Sequence, residues 1–148
     1  MSTNTNTENH LSCGGVVYKN DDSKTQIVIC GRRQEGEWLW GLPKGTPNPR
    51  ETNEETAIRE VTEETGLQVS IKTLIGSINY SFIRASDEIL CHKIVHFYLM
   101  EAIGGSFENH DNEFDEVKWV SIQECVRMLT HQNEINMVNQ AIRIINQQ

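Results

Sequence analysis

Apolar residues gather in short runs along most of this chain and fall into helical spacing only three times. LSCGGVVYKN and TQIVICGRR are runs of small and β-branched residues separated by the polar turn NDDSK, a pattern that predicts a hairpin. EWLWGLPKG is short and aromatic, and Pro43 disfavours helical backbone at Leu42, so an extended segment is expected. Pro47 and Pro49 leave TPNPRE little choice but a loop. LQVSIKTLIGSINYSFI, CHKIVHFYLMEAI and EVKWVSI predict further strands. Helical spacing appears in residues 52–65, in QECVRMLT and in NEINMVNQAIRIINQQ, where Met128, Leu129, Ile135 and Val138 are expected in the core. Strands, helix, strands, helices in that order predict an α/β fold, a mixed sheet covered by helices.

The helix over 52–65 is the best marked. Thr52 with Glu55 forms a capping box, and Gly66 stands where a left-handed C-cap belongs. At about 100° per residue, Ala57, Ile58 and Val61 share an arc expected to face the sheet. Glu60, Glu63 and Glu64 share another, in the last turn and a half. Like charges at these spacings cost about 0.2–0.5 kcal/mol per pair. Carboxylates at a helix C-terminus cost about 0.3–1 kcal/mol each. Two readings account for them: a solvated face screened by salt, or a site for a hard divalent cation that takes carboxylate oxygens. Local spacing does not separate the two.

The remaining composition narrows the field. The chain has 148 residues and a formal net charge of −8, which suits one domain and argues against a large nucleic-acid face. A polar disordered tail over residues 1–10 and a single domain over 11–148 are expected. Cys13, Cys30, Cys91 and Cys125 are widely spaced and make no C-x-x-C pair, so reduced thiols are expected. No apolar run nears the roughly 20 residues that span a bilayer, and MSTNTNTENH lacks the pattern of a secretory leader. A cytoplasmic protein without membrane contact is the expectation. Its oligomeric state is open.

The flanks of the acidic patch decide between its readings. From Gly45 the chain runs GTPNPRETNEETAIREVTEETGL, which resembles the Nudix box with Gly45, Glu51, Arg59, Glu60, Val61, Glu63, Glu64, Gly66 and Leu67 at every fixed position. The resemblance implies an α/β/α sandwich whose box forms a loop–helix–loop. It implies a pyrophosphohydrolase that splits a nucleoside diphosphate linked to a further group X. Glu60, Glu63 and Glu64 would ligate Mg²⁺ or Mn²⁺, Glu51 would lie in or near the metal shell, and Arg59 would hold a box carboxylate in place. Glu113 or Glu116, from HDNEFDEVKWV, would add a ligand or general base; family spacing favours Glu113.

The group X is less marked. WGLPKG before the box is similar to Nudix enzymes that cleave dinucleoside polyphosphates, notably diadenosine tetraphosphate. Lys44 and Arg32 (or Arg33) would then meet phosphates, beside Gly45. Tyr80, Phe82, Trp38 and Trp40 are candidates to stack on a base, Tyr80 first among them. Modified nucleoside triphosphates and diphosphoinositol phosphates are alternative substrates, and a Nudix-fold module that binds nucleotide without cleaving it is a third reading. His92 and His96 read as ordinary strand residues.

Overall fold

The computed structural model describes residues 6–148. The strands are β1 (Thr7–Asp21), β2 (Lys24–Gln34), β3 (Glu37–Gly41), β4 (Lys44–Gly45), β5 (Leu67–Ile83), β6 (Leu90–Gly105) and β7 (Glu116–Ser121). The helices are α1 (Asn53–Thr65), α2 (Ile122–Met128) and α3 (Gln132–Asn146). One seven-stranded sheet has the order β3-β2-β1-β6-β5, with β4 paired to β1 and β7 paired to β2. Only β1 and β6 run parallel, through twelve register pairs from Thr7↔Leu90 to Tyr18↔Glu101; the other pairings are antiparallel. The sheet is therefore mixed, as the element order predicts.

Each face of the sheet buries one apolar layer. On one side Ala57 and Val61 of α1 pack on Val17, Val28, Tyr98 and Met100. On the other, Cys125 of α2 and Met137, Val138 and Ala141 of α3 pack on Val16, Ile27, Ile29, Phe97 and Leu99. Alternation along the strands supplies both layers, since neighbouring residues point to opposite faces. The result is an α/β/α sandwich.

Two sequence expectations need correction. The polar stretch 1–10 is strand from Thr7 onward, where backbone pairing to Leu90–Lys93 fixes it; residues 1–5 lie outside the described residues. Ile58 is 38% exposed and does not face the sheet. The buried residues of α1 are Thr56, Ala57, Val61, Glu64 and Thr65, and Ile58 falls at the outer edge of that arc.

Candidate active site

The capping box forms: Glu55 N–H donates to Thr52 Oγ1 at 3.1 Å, and Thr52 N–H donates to Glu55 Oε1 at 2.9 Å. At the other end Gly66 has φ 78°, and its N–H donates to the Thr62 carbonyl. A side chain there would also strike the Ser106 carbonyl, so the stop is set by both backbone angle and space. These two ends fix the rotation of α1 and hence the direction of its carboxylates.

Arg59 gathers them. Its Nε donates to Glu51 Oε2 at 2.7 Å, and its Nη1 to Glu60 Oε1 at 2.7 Å and Glu63 Oε1 at 3.1 Å. Its Nη2 donates to Glu51 Oε1 at 3.0 Å and the Thr46 carbonyl at 2.9 Å. A planar five-donor fork can hold three carboxylates at fixed angles; an ammonium cannot. Glu51 also accepts from Asn48 N–H at 2.9 Å and Thr56 Oγ1 at 2.8 Å. The Arg59 guanidinium, helped by the Asn48 amide, holds the Glu51 carboxyl down at about 2. Glu51 is thus the fastened hinge of the loop, while Glu63 keeps the most exposed carboxylate of the group.

Glu64 faces the other way, into the protein, at 3% exposure. Burial, then the neighbouring Glu60 carboxylate, pushes its pKa up to about 9. Gly45 lies against the Glu60 carboxyl so closely that any side chain at 45 would collide with it. This chain therefore carries an all-oxygen donor set on α1: Glu60 and Glu63 share Arg59, and Glu64 lies beside Glu60 with Lys44 as its offsetting cation. That chemistry fits a hard divalent ion, which would replace the proton on Glu64.

Beside this group, on the α3 face of the sheet, lies a cleft of about 390 Å³ lined by Lys44, Ile78, Tyr80, Val95, Phe97, His131, Asn133 and Glu134. Period-two alternation in β4 explains the junction: Gly45 faces the carboxylates of α1, and its neighbour Lys44 reaches the cleft. Lys44 Nζ lies 3.1 Å from Glu134 Oε2, and Glu134 Oε1 accepts the Leu42 N–H at 2.8 Å. Glu134 is 5% exposed and lies on α3, far along the chain, so no local pattern marks it. Tyr80, which lines the cleft, is 43% exposed, and its ring centroid lies 6.1 Å from that of the tilted Phe82 ring. Lys93 pairs in register with Tyr80. Trp38 and Trp40 instead stack on each other at 5.3 Å, with Lys118 over the Trp40 ring.

The later acidic segment arranges itself differently from the family spacing. Glu113 makes an exposed ion pair with Arg32 at 2.6 Å. Asp111 lies nearer: its N–H donates to the Glu63 carbonyl at 2.8 Å, and its charge is among those raising Glu64. Glu116 sits at the start of β7, 3.7 Å from Lys118.

A mixed sheet between helices, with a loop–helix–loop carrying the carboxylates, is the architecture that the box resemblance implies. The chain belongs to the NUDIX domain family, whose model matches residues 8–140. It is similar to the MutT4 protein of Mycobacterium tuberculosis, 38% identical over 148 residues, which covers 97% of this chain and 59% of that protein. The chain thus spans about three-fifths of that relative's length. It is also similar to the asymmetrical bis(5'-nucleosyl)-tetraphosphatase of Mus musculus, 26% identical over 124 residues, covering 79% of this chain and 82% of the mouse protein. Among solved structures, a C. elegans Ap4A hydrolase binary complex has the same fold, with TM-score 0.76 and 16% identity over 94% of this chain and 99% of the other. No described helix is long and apolar enough to cross a membrane.

Proposed function

We propose that this chain hydrolyses a phosphoanhydride bond in a nucleoside diphosphate derivative, with Mg²⁺ or Mn²⁺ held by Glu60, Glu63 and Glu64, and that a dinucleoside tetraphosphate, cleaved to ATP and AMP, is its substrate. The observation that carries this is the gathering of Glu51, Glu60 and Glu63 on Arg59, with the buried Glu64 beside Glu60, next along the chain from a cleft that Lys44 and an exposed tyrosine line. A bound divalent ion would neutralise phosphate oxygens and lower the pKa of a water. Arg59 keeps Glu60 and Glu63 aimed, and Lys44 supplies a positive point charge for the phosphate chain. Tyr80 offers a stacking face for a base. Glu64 would join the ligand set as its carboxylate when such an ion is bound. Asp111 is a second candidate for the assisting carboxylate beside Glu113: its backbone bonds to the Glu63 carbonyl and its charge reaches Glu64, whereas Glu113 pairs with Arg32.

A second reading is hydrolysis of oxidised nucleoside triphosphates. The 8-oxo-(d)GTP phosphatase of Mycolicibacterium smegmatis is 25% identical over 104 residues, covering 70% of this chain and 30% of that protein. A panel of diadenosine tetraphosphate, 8-oxo-dGTP and ordinary nucleoside triphosphates, incubated with Mg²⁺ and resolved by chromatography, separates the readings. ATP and AMP from the dinucleotide at the highest kcat/KM supports the first. A preference for 8-oxo-dGTP transfers the case to the second. Nucleotide binding without turnover of any member would refute both.

A further inference from the structure

At the edge of the same sheet face, away from the box, three side chains of different chemistry meet. Glu8 and His10 stand two residues apart on β1 and so point the same way. The parallel pairing with β6 sets Glu8 opposite Cys91 and His10 opposite Lys93. One carboxylate oxygen of Glu8, one ring nitrogen of His10 and the Cys91 sulfur all lie within 4.8 Å of one another.

Their local bonding leaves room for a further partner. His10 Nε2 is buried and makes no hydrogen bond, although Glu8 Oε1 lies 3.2 Å away. Among the described residues it is the one buried side-chain nitrogen or oxygen left so. Cys91 is fully buried, and its sulfur has only a long contact of 3.7 Å to the Ile89 carbonyl. Glu8 is oriented from behind by Arg84, whose Nη1 and Nη2 reach its two oxygens at 3.1 and 3.0 Å. A carboxylate has about four lone-pair positions, so those two bonds leave others on the side of His10. Ligating carboxylates are commonly held in this way by an outer hydrogen-bond donor.

We infer that Glu8, His10 and Cys91 form a second metal site, for Zn²⁺, separate from the box. Sulfur, imidazole nitrogen and one carboxylate oxygen suit a borderline-soft ion that takes four ligands. The box, being all oxygen, suits a hard one. Tetrahedral Zn²⁺ with bonds of about 2.0–2.3 Å needs ligand atoms about 3.5 Å apart; Glu8 Oε1 and His10 Nε2 already lie 3.2 Å apart, and all three donors lie within 4.8 Å. Cys91 binds as thiolate and releases its proton to solvent, and water completes the fourth position. The ion would staple the beginning of β1 to β6 beside Phe82, which is the register partner of Cys91.

Cobalt reports this site without interference from the box, because only a thiolate ligand gives a sulfur-to-cobalt charge-transfer band in the near ultraviolet. The full chain, stripped with chelator, is titrated with Co²⁺. The expected result is such a band, saturating at one ion per chain, erased by one equivalent of Zn²⁺, and kept in Glu64→Gln. The band is lost in Cys91→Ser and in His10→Gln; the second change sits at a partly exposed position and guards against a folding artefact in the first. No band in the wild type, or a band that survives both substitutions, overturns the proposal.

Discussion

At the scale of single residues, Glu64 is the carboxyl group whose protonation the fold most disturbs among the described residues. Its carboxyl is held at about 9 by burial and by Glu60, against an ordinary 4.5. Glu64→Gln should lower turnover by about 10²–10³-fold, the usual cost of losing one electrostatic group at a reacting centre. In chelator the same variant should melt higher, by about 2–4 °C for each kcal/mol of relieved desolvation; scanning calorimetry with and without Mg²⁺ checks both signs. Arg59→Lys should lower kcat or Mn²⁺ affinity by about 10–100-fold, since one ammonium cannot orient Glu51, Glu60 and Glu63 together. Lys44 and Glu134 act as a pair at 3.1 Å. Glu134→Gln and Lys44→Met should each raise KM more than they change kcat, and the double variant should be no worse than Lys44→Met alone. Additive losses in steady-state kinetics would separate their roles.

Among elements, α1 carries the clearest local determinants and so was the most legible in the sequence. Thr52, Glu55 and Gly66 act within their own turns, and the structure uses each as the pattern predicts. Thr52→Ala should cost about 1 kcal/mol in urea unfolding, with the slope unchanged. The strand runs were readable from their apolar composition, except the start of β1, whose polar residues from Thr7 are strand only through pairing to β6. What escaped was whatever needs two distant segments. Asp111 was not singled out beside Glu113 and Glu116, because its approach to α1 depends on a backbone bond to the distant Glu63, and Glu113's partner Arg32 belongs to β2. Glu134 gives no local signal on α3, because its burial comes from the Trp40–Lys44 strap folding onto it. Ile58 was placed inward by arc alone, whereas the sheet covers only the arc centred on Ala57 and Val61.

For the molecule as a whole, stability should depend on pH through opposing groups. Glu51 is depressed to about 2, so its contribution is complete above 4.5 and is lost as pH falls towards 2. Glu64 is raised, so the folded chain binds a proton that the unfolded chain releases; stability without metal should fall as pH climbs from 4.5 towards 9. The metal-free urea midpoint should therefore peak in mildly acidic buffer, and Mg²⁺ should move that peak upward. A midpoint that rises steadily to pH 9 in chelator would contradict the assignment of Glu64. The two-residue strand β4 sets a further condition on the molecule. Lys44 and Gly45 serve opposite faces only because one peptide unit separates them. Inserting a single alanine between Pro43 and Lys44 could not be absorbed as a mild loop extension. If the strand kept its pairing to Cys13 and Gly14, the slip would thrust the lysine at the Glu60 carboxyl and seat a methyl group in the cleft, exchanging the inputs of both compartments at once.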